Sequence, residues 1–240
     1  MRLVSALIAV VAAFACQAAS AQTVPIPMPK PDRSKSGKPA QPPGPEPKAA
    51  PSDNAAVTAS EPDSACEAEL VKLGVRFKPS PPVNNPEIGC SIASPVELQS
   101  LPDGVLLDPP ALLDCQMAVQ FAEFVREKTQ PIARTAFASQ IKAIRHDSAY
   151  VCRTRNGTDT LSEHAFGRAV DIGSVTLGNG LIIPVMAMPK DRELEASFLT
   201  SIRSAACGPF TTVLGPGSDA DHALHFHFDR APRKSGPYCR

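Results

Sequence analysis

The segment Ala169–Val185, AVDIGSVTLGNGLIIPV, decides the fold class of this chain. Apolar and β-branched residues fill Ala169–Leu177 and Leu181–Val185, and the GNG sequence of 178–180 between them is a strong hairpin signal. We therefore predict two antiparallel strands joined by a short turn. Further strands cluster in the later half of the chain, and strands and helices do not alternate regularly. This pattern favours an α+β domain with a small, mostly antiparallel sheet.

Helices and shorter strands are predicted around this hairpin. The strongest helix signal is Pro110–Lys128, because Pro109 and Pro110 suit a first turn and the apolar residues recur at three- and four-residue spacings. Other helices are predicted at Ser64–Gly74, capped by Asp63 or Ser64, and at Asp191–Ala206. Strands are predicted within Cys90–Leu107 around a turn at Pro102–Gly104, and at Gln140–Val151, Thr211–Leu214 and Ala223–Arg230, with loop at Pro79–Pro86.

The N-terminal residues predict export from the cell. A basic start and an apolar run, Leu3–Ala15, are followed by small residues up to Ala21. This order is that of a secretory signal peptide over residues 1–21, and the run is too short to span a membrane. An alternative is lipidation of Cys16, the one route by which this chain is expected to associate with a membrane. The expected location is the periplasm or cell envelope of a bacterium.

A proline-rich linker is predicted at residues 22–62. Ten prolines lie between Pro25 and Pro51, with almost no large apolar residues among them. Such a segment cannot bury enough apolar surface to offset the entropy lost on ordering, and proline keeps it extended. We expect a disordered spacer that precedes a single domain at residues 63–240, which is long enough for a full hydrophobic core.

The cysteines of that domain predict disulfide bonds. An even number of cysteines in an exported chain favours three disulfides over thiolate metal ligands, and no C-x-x-C pair is present. Fifteen pairings of six cysteines are possible, and the sequence does not choose among them. The six residues are Cys66, Cys90, Cys115, Cys152, Cys207 and Cys239.

The charge of the chain excludes one class of partner. The 24 Lys and Arg residues balance 24 Asp and Glu residues, and no long basic run occurs. Nucleic-acid-binding domains carry a clustered positive charge. We therefore expect no nucleic-acid partner.

The histidines predict a zinc site. Four of the five histidines fall in two short segments, Ser162–Asp171 (SEHAFGRAVD) and His222–Asp229 (HALHFHFD). A hydrolytic zinc uses three protein ligands and one open position. His164, Asp171 and His227 can supply those ligands.

Strand periodicity supports this interpretation. Alternate side chains of a strand share a face, so His225, His227 and Asp229 are expected on one face and Phe226 and Phe228 towards the core. An H-x-H pair on a strand also arises by chance, and a histidine is more often a hydrogen-bonded structural residue than a ligand. The rarity of histidine elsewhere in the chain favours the metal interpretation.

Five motifs give the domain a family resemblance. The stretch from Cys66 to Cys239 resembles the bacterial extensin-like C-terminal domain family, which in turn looks like a branch of the zinc D-alanyl-D-alanine metallopeptidases that trim peptidoglycan stem peptides. The matching motifs are YVCRTRNG at 150–157, LSEHA at 161–165, VLGPGSDA at 213–220, HFHFD at 225–229 and the final YC at 238–239.

The resemblance implies a ligand set and a proton-transfer residue. The S-x-H-x-x-G-x-A-x-D motif of those peptidases and their terminal histidine correspond here to His164, Asp171 and His227 as zinc ligands. Many of them carry an acidic general base three residues before the last ligand, where this chain has Leu224. Relatives with an H-x-H motif place a histidine two residues before the ligand, so His225 is the expected catalytic residue.

Substrate contacts are expected from residues beside the first motif. Arg153 or Arg155 can hold a substrate carboxylate with two hydrogen bonds, although a structural ion pair is an equal alternative. Tyr150 and Ser162 are candidates for positioning the substrate. Glu163 is a candidate for the missing acid if its loop turns it inward.

Other polar residues of the second segment have supporting roles in this prediction. His222, Asp221 and Asp219 are candidates for orienting a ligand histidine. His146 and Asp147 are interpreted as a turn.

We therefore predict an exported zinc peptidase-like protein that acts on peptidoglycan peptides, in which zinc polarises the scissile carbonyl and activates water. The main alternative is a non-catalytic module that keeps the fold and binds the cell wall. A third reading is a disulfide-bonded structural protein of the envelope that holds no metal.

Overall fold

The computed structural model of the protein describes residues 63–240. Its helices are α1 Ser64–Lys72, α2 Cys115–Phe124, α3 Gln130–Phe137 and α4 Glu193–Ala206. Its strands are β1 Arg76–Pro79, β2 Val83–Asn85, β3 Cys90–Ile92, β4 Pro95–Leu101, β5 Val105–Asp114, β6 Ile141–Ser148, β7 Ala169–Leu177, β8 Ile182–Pro184, β9 Thr212–Leu214, β10 Phe226–Asp229 and β11 Tyr238–Cys239. Two 3-10 turns, Pro102–Gly104 and Glu163–Phe166, and a π-helical turn, Val125–Thr129, complete the regular structure.

One nine-stranded sheet organises the domain. Its strand order is β1-β4-β5-β6-β7-β10-β9-β11, with β8 paired to β7, and β2 and β3 form a separate two-stranded sheet. The pairs β5–β6 and β9–β11 are parallel, and the other pairs are antiparallel. The predicted α+β class with a mostly antiparallel sheet is confirmed, although the sheet is mixed. It is not the small sheet that was predicted, because long-range pairing joins nine strands.

The hairpin predicted at Ala169–Val185 is present. β7 and β8 pair antiparallel from Ser174 opposite Pro184 to Thr176 opposite Ile182. In the turn, Gly180 has a φ of 86°, a left-handed value that favours glycine. The helix prediction at Asp191–Ala206 and the capping of α1 by Asp63, whose Oδ1 accepts from the Cys66 N–H at 3.1 Å, are also confirmed.

The predicted start of the strongest helix was wrong. Residues 110–114 belong to β5, and α2 begins at Cys115, where Asp114 Oδ1 accepts from the Gln116 N–H at 3.2 Å. β5 pairs with β6 through Leu106–Asp108 and with β4 again from Ala111, so Pro109 and Pro110 fall where the strand has no ladder partner. Their missing N–H groups therefore remove no ladder hydrogen bond.

Three smaller boundaries also differ from the prediction. The expected loop at Pro79–Pro86 contains β2, which pairs with β3. The last central strand begins at Phe226 rather than Ala223. β6 ends at Ser148, and its register with β7 shifts around His146, where an interruption was expected.

The three predicted disulfides are confirmed, and the structure supplies their pairing. All six cysteines of the domain are used, as Cys66–Cys115, Cys90–Cys152 and Cys207–Cys239. The first joins α1 to α2. The second ties the loop that precedes the Glu163–Phe166 turn to β3, and the third joins the end of α4 to the C-terminal strand.

An aromatic cluster fixes which face of the sheet is the core. Phe228 of β10 lies edge-on to Phe124 of α2, with ring centroids 5.7 Å apart, and stacks on Phe210 at 5.1 Å. Because side chains alternate along a strand, His227 and Asp229 lie on the opposite face of β10 from this aromatic cluster. The functional candidates of β10 therefore lie on the face of the sheet away from the aromatic core.

The predicted signal peptide at 1–21, the predicted linker at 22–62 and Cys16 lie outside the described residues. Between Asp63 and Arg240, every helix is too short or too polar to cross a membrane.

Candidate metal centre

His164 is positioned by a short capped turn. Ser162 Oγ accepts from the His164 N–H at 3.4 Å at the start of the Glu163–Phe166 turn, and Gly167 ends it with a φ of 64°. A Cβ on Gly167 would lie 2.6 Å from the Asp114 nitrogen and 2.7 Å from Ile92 Cδ1. The motif therefore needs glycine here for two reasons, the left-handed backbone and the close packing under the turn.

Gly167→Ala is expected to destabilise the domain by about 2–4 kcal/mol. About 1 kcal/mol comes from the left-handed backbone and about 1–3 kcal/mol from overpacking. Gly157→Ala is the matched control, since its φ is 71° but no atom lies within 4 Å of its Cβ position, and it is expected to cost about 1 kcal/mol. Urea unfolding measures both. If both variants lost the same free energy of unfolding, close packing against Ile92 and Asp114 would contribute nothing to the cost of Gly167→Ala.

Asp171 and His227 are brought together by strand register. They are directly opposite each other in the antiparallel pair β7–β10. Opposite residues of such a pair have side chains on the same face and close together. His227 Nδ1 lies 2.9 Å from Asp171 Oδ1.

The three predicted ligand residues form one buried cluster. His164 Nε2 lies 3.2 Å from Asp171 Oδ2 and 3.3 Å from His227 Nδ1. Their ligand atoms all lie within 4.8 Å of one another. Within residues 63–240, no other group of three histidine, cysteine or acidic side chains is arranged in this way. A tetrahedral zinc with bonds of about 2.0–2.2 Å separates its ligand atoms by roughly 3.3 Å. The residues therefore fit a zinc ion in donor type and in spacing.

Both histidines are oriented by their second nitrogen. His164 Nδ1 lies 2.5 Å from the Ala149 carbonyl oxygen, so this nitrogen carries the proton and Nε2 presents its lone pair to the cluster. His227 Nε2 lies 3.1 Å from Asp229 Oδ2 and donates to it. Metal-ligating histidines generally use such a carbonyl or carboxylate partner, which fixes the ring and raises its basicity.

The electrostatics of the cluster favour a positive charge. Burial acts to lower the pKa of His227, but hydrogen bonds with Asp171 and Asp229 outweigh it and raise the pKa to about 9. Burial acts to raise the pKa of Asp171, but the interaction with the adjacent His164 and His227 rings holds it well below its usual value. Below this pKa His227 is protonated, and a metal cation must displace that proton in order to bind the ring nitrogen.

Asp229→Asn is expected to weaken zinc binding about tenfold while keeping the shape of the side chain. An amide lacks the charge that makes His227 a stronger ligand, and loss of such a partner costs about 10–100-fold in metal affinity. Asp219→Asn is the matched control, because Asp219 Oδ1 contacts His222 Nδ1 at 2.6 Å and His222 lies outside the ligand set. Competition with a chromogenic chelator gives the Kd. An unchanged Kd for Asp229→Asn, or an equal loss for both variants, would contradict this role.

A cleft of about 410 Å³ opens above the cluster. His164, Asp171 and His227 lie in its wall, and polar side chains from other parts of the chain surround them. These include Arg153, Arg155, Ser162, Glu163, His225 and Arg233.

The predicted substrate residues divide into two groups. Arg153, Arg155 and Ser162 line the cleft, whereas Tyr150 is absent from its wall. Arg155 Nη2 donates to Glu163 Oε1 at 3.4 Å, so this guanidinium is already paired. Arg153 Nη1 donates to the neighbouring Thr154 carbonyl at 3.2 Å, and no carboxylate among residues 63–240 pairs with this guanidinium, so its charge is available to a ligand.

His225 lies at the cleft side of β10. Its Nε2 is 3.7 Å from Asp171 Oδ1, and its ring centroid is 5.2 Å from that of His222. Partial burial lowers the pKa of His225, although the Asp171 carboxylate opposes this effect. Leu224 is 65% exposed and does not line the cleft. The side chain at the position of the missing acid therefore faces solvent.

Glu163 is turned inward. It lines the cleft, and its buried Oε2 has no hydrogen-bond partner within residues 63–240. Burial raises the pKa of Glu163, and the nearby Asp229 carboxylate adds to this, while Arg168 and Arg155 partly oppose it. Glu163 was a candidate for the missing acid only if its loop turned it inward, and the structure has this orientation.

The residues that the sequence did not reveal come from the C-terminal segment. Thr212, Arg233 and Tyr238 line the cleft because the parallel pair β9–β11 and the Cys207–Cys239 disulfide bring the end of the chain there. The sequence feature that pointed to this segment was the final Tyr238-Cys239 of the family motif. His146, interpreted as part of a turn, instead lies in β6, and its Nε2 is 2.8 Å from the Pro109 carbonyl oxygen.

Residues 64–240 match the family described as the extensin-like protein C-terminus, and the chain therefore belongs to that family. Comparisons with curated proteins and with solved structures gave no match. The resemblance to the extensin-like family is confirmed, and the relation to zinc D-alanyl-D-alanine peptidases stays a prediction.

Proposed function

We propose that this protein is an exported zinc peptidase-like protein of the bacterial periplasm or cell envelope, acting on peptidoglycan stem peptides and related to the D-alanyl-D-alanine metallopeptidases. One observation carries the proposal. Two oriented imidazoles and a carboxylate, with ligand-atom separations of 2.9 to 3.3 Å, lie in the wall of an open cleft that also presents guanidinium groups. Three ligands beside an accessible cleft are what catalytic zinc sites have and closed structural sites lack.

Each residue of the cleft has a role in this proposal. His164, Asp171 and His227 hold the zinc ion, which when bound acts as a Lewis acid on a carbonyl and lowers the pKa of water. Arg153 holds the terminal carboxylate of the peptide, because a guanidinium pairs with a carboxylate through two hydrogen bonds. His225 accepts a proton from the attacking water and returns it to the leaving amine. Ser162 supports the turn that presents His164.

The test uses the purified, disulfide-bonded protein loaded with zinc and the peptide acetyl-Gln-D-Ala-D-Ala. We expect release of free D-alanine, loss of that release with a chelator, and recovery when zinc is restored. Stoichiometric zinc with no hydrolysis of this peptide or of longer stem peptides would overturn the peptidase proposal.

A non-catalytic cell-wall-binding module is the second candidate. The observation that favours it is the exposed Leu224 in place of an acid, which leaves the cleft without the usual general base at that position. This alternative predicts that zinc-loaded protein sediments with purified peptidoglycan and releases no product. Product release would exclude it.

A further inference from the structure

The C-terminal segment places a fixed guanidinium in the cleft that the proposed function does not use. Arg233 Nε and Nη2 both donate to Thr212 Oγ1, at 3.1 and 2.8 Å, and the guanidinium lies over the Tyr238 ring at 5.3 Å. Arginine has five N–H donors, so three remain for a ligand. Because the hydroxyl and the ring hold the group in place, less side-chain entropy is lost when it binds.

Arg233 has no acidic partner. Among residues 63–240, no carboxylate lies within ion-pair distance of it, whereas Arg155 and Arg168 both face Glu163. A guanidinium that lines a cleft and lacks a counter-charge attracts an anionic group of a ligand.

Arg233 and Arg153 approach the cluster from different sides. Arg233 donates a hydrogen bond to Thr212 of β9. In the sheet, β10 lies between β7 and β9. The Arg153 carbonyl accepts from the Ser162 N–H at 3.1 Å, so Arg153 belongs with the turn that packs on β3 and β7. The ligand cluster at the β7–β10 pair lies between these two attachments.

We propose that Arg233 forms a second carboxylate-binding subsite, so that the cleft selects acidic peptides with a side-chain carboxylate in addition to the terminal one. This inference rests on the proposed function, because it names the substrate class of the same site. Arg153 binds the terminal carboxylate, and Arg233 binds the side-chain carboxylate on the other side of the cluster.

The test compares two peptides that differ in one charge, acetyl-Glu-D-Ala-D-Ala and acetyl-Gln-D-Ala-D-Ala. Their Kd values are measured by calorimetry on chelator-treated protein, so that binding is read without turnover. The variants are Arg233→Gln, which keeps N–H donors for Thr212, and Lys234→Gln, which removes the same charge from an exposed neighbour outside the cleft.

Wild type and Lys234→Gln are expected to bind the Glu peptide about tenfold more tightly than the Gln peptide, and Arg233→Gln to bind both equally. No preference in the wild type, a preference that survives in Arg233→Gln, or no binding of either peptide would overturn the inference. Hydrolysis by zinc-loaded protein is scored separately. If the preference for the Glu peptide is lost in Arg233→Gln but the zinc-loaded protein hydrolyses neither peptide, the subsite is supported and the peptidase proposal is refuted. If the protein hydrolyses the peptides but the wild type shows no preference between them, the peptidase proposal is supported and the subsite is refuted.

Discussion

Replacing His164 or His227 by alanine is expected to abolish stoichiometric zinc binding. In the proposed site each contributes one of three ligand atoms, and the remaining histidine and carboxylate cannot complete the set. Loss of a partner that only orients a ligand costs about 10–100-fold in metal affinity, so loss of a ligand is expected to cost more than about 100-fold. The metal content of dialysed protein should fall from about one zinc ion per chain to a small fraction of that.

His222→Ala is the matched control for these variants. The His222 ring lies 5.6 Å from that of His227, so it is part of the same histidine cluster, but its Nδ1 is committed to Asp219. This variant is expected to retain its zinc. Stoichiometric zinc in His164→Ala or His227→Ala, or its loss in His222→Ala, would overturn the ligand assignment.

Thermal unfolding gives an independent reading of the same variants. A ligand that binds only the folded state stabilises it by about 2.7 kcal/mol at 100 times its Kd. Zinc is therefore expected to raise the Tm of the wild type and to leave that of the two ligand variants unchanged. Unfolding in the absence of zinc separates loss of the site from loss of the fold.

Local pattern explains why much of the fold could be predicted. The hairpin of β7 and β8 and the alternation of β10 depend on neighbouring residues, so periodicity and the GNG turn were sufficient. The same alternation correctly predicted that the histidines and the phenylalanines of β10 lie on opposite faces of the strand. The metal candidates followed because histidine is rare in this chain.

The features that the sequence could not give depend on long-range pairing. Pro109 and Pro110 are compatible with a helix start, and only the pairing of β5 with β4 and β6 assigns them to a strand. The disulfide pairing follows from the same topology. Arg233 reaches the cleft because β11 pairs with β9, and nothing near Arg233 in the sequence indicates that contact.

His225→Ala is expected to lower turnover of acetyl-Gln-D-Ala-D-Ala by about 10²–10⁴-fold, the usual contribution of a proton-transfer group. Zinc content is expected to remain unchanged, because His225 Nε2 lies 3.7 Å from Asp171 Oδ1 and the ring is outside the ligand cluster. The combination distinguishes a proton-transfer residue from a ligand, whose loss removes zinc and turnover together. It also distinguishes an enzyme from a binding module, in which the same variant changes neither zinc nor wall binding.

Leu224→Ala is the matched control for this last variant. It changes the preceding side chain, which is 65% exposed and outside the cleft, and is expected to leave turnover within about twofold of the wild type. Full turnover in His225→Ala would move the proton-transfer role to another cleft residue, with the inward-facing Glu163 as the next to replace. Because the buried Glu163 Oε2 lacks a hydrogen-bond partner in the described part of the chain, Glu163→Gln then gives a direct test of that assignment.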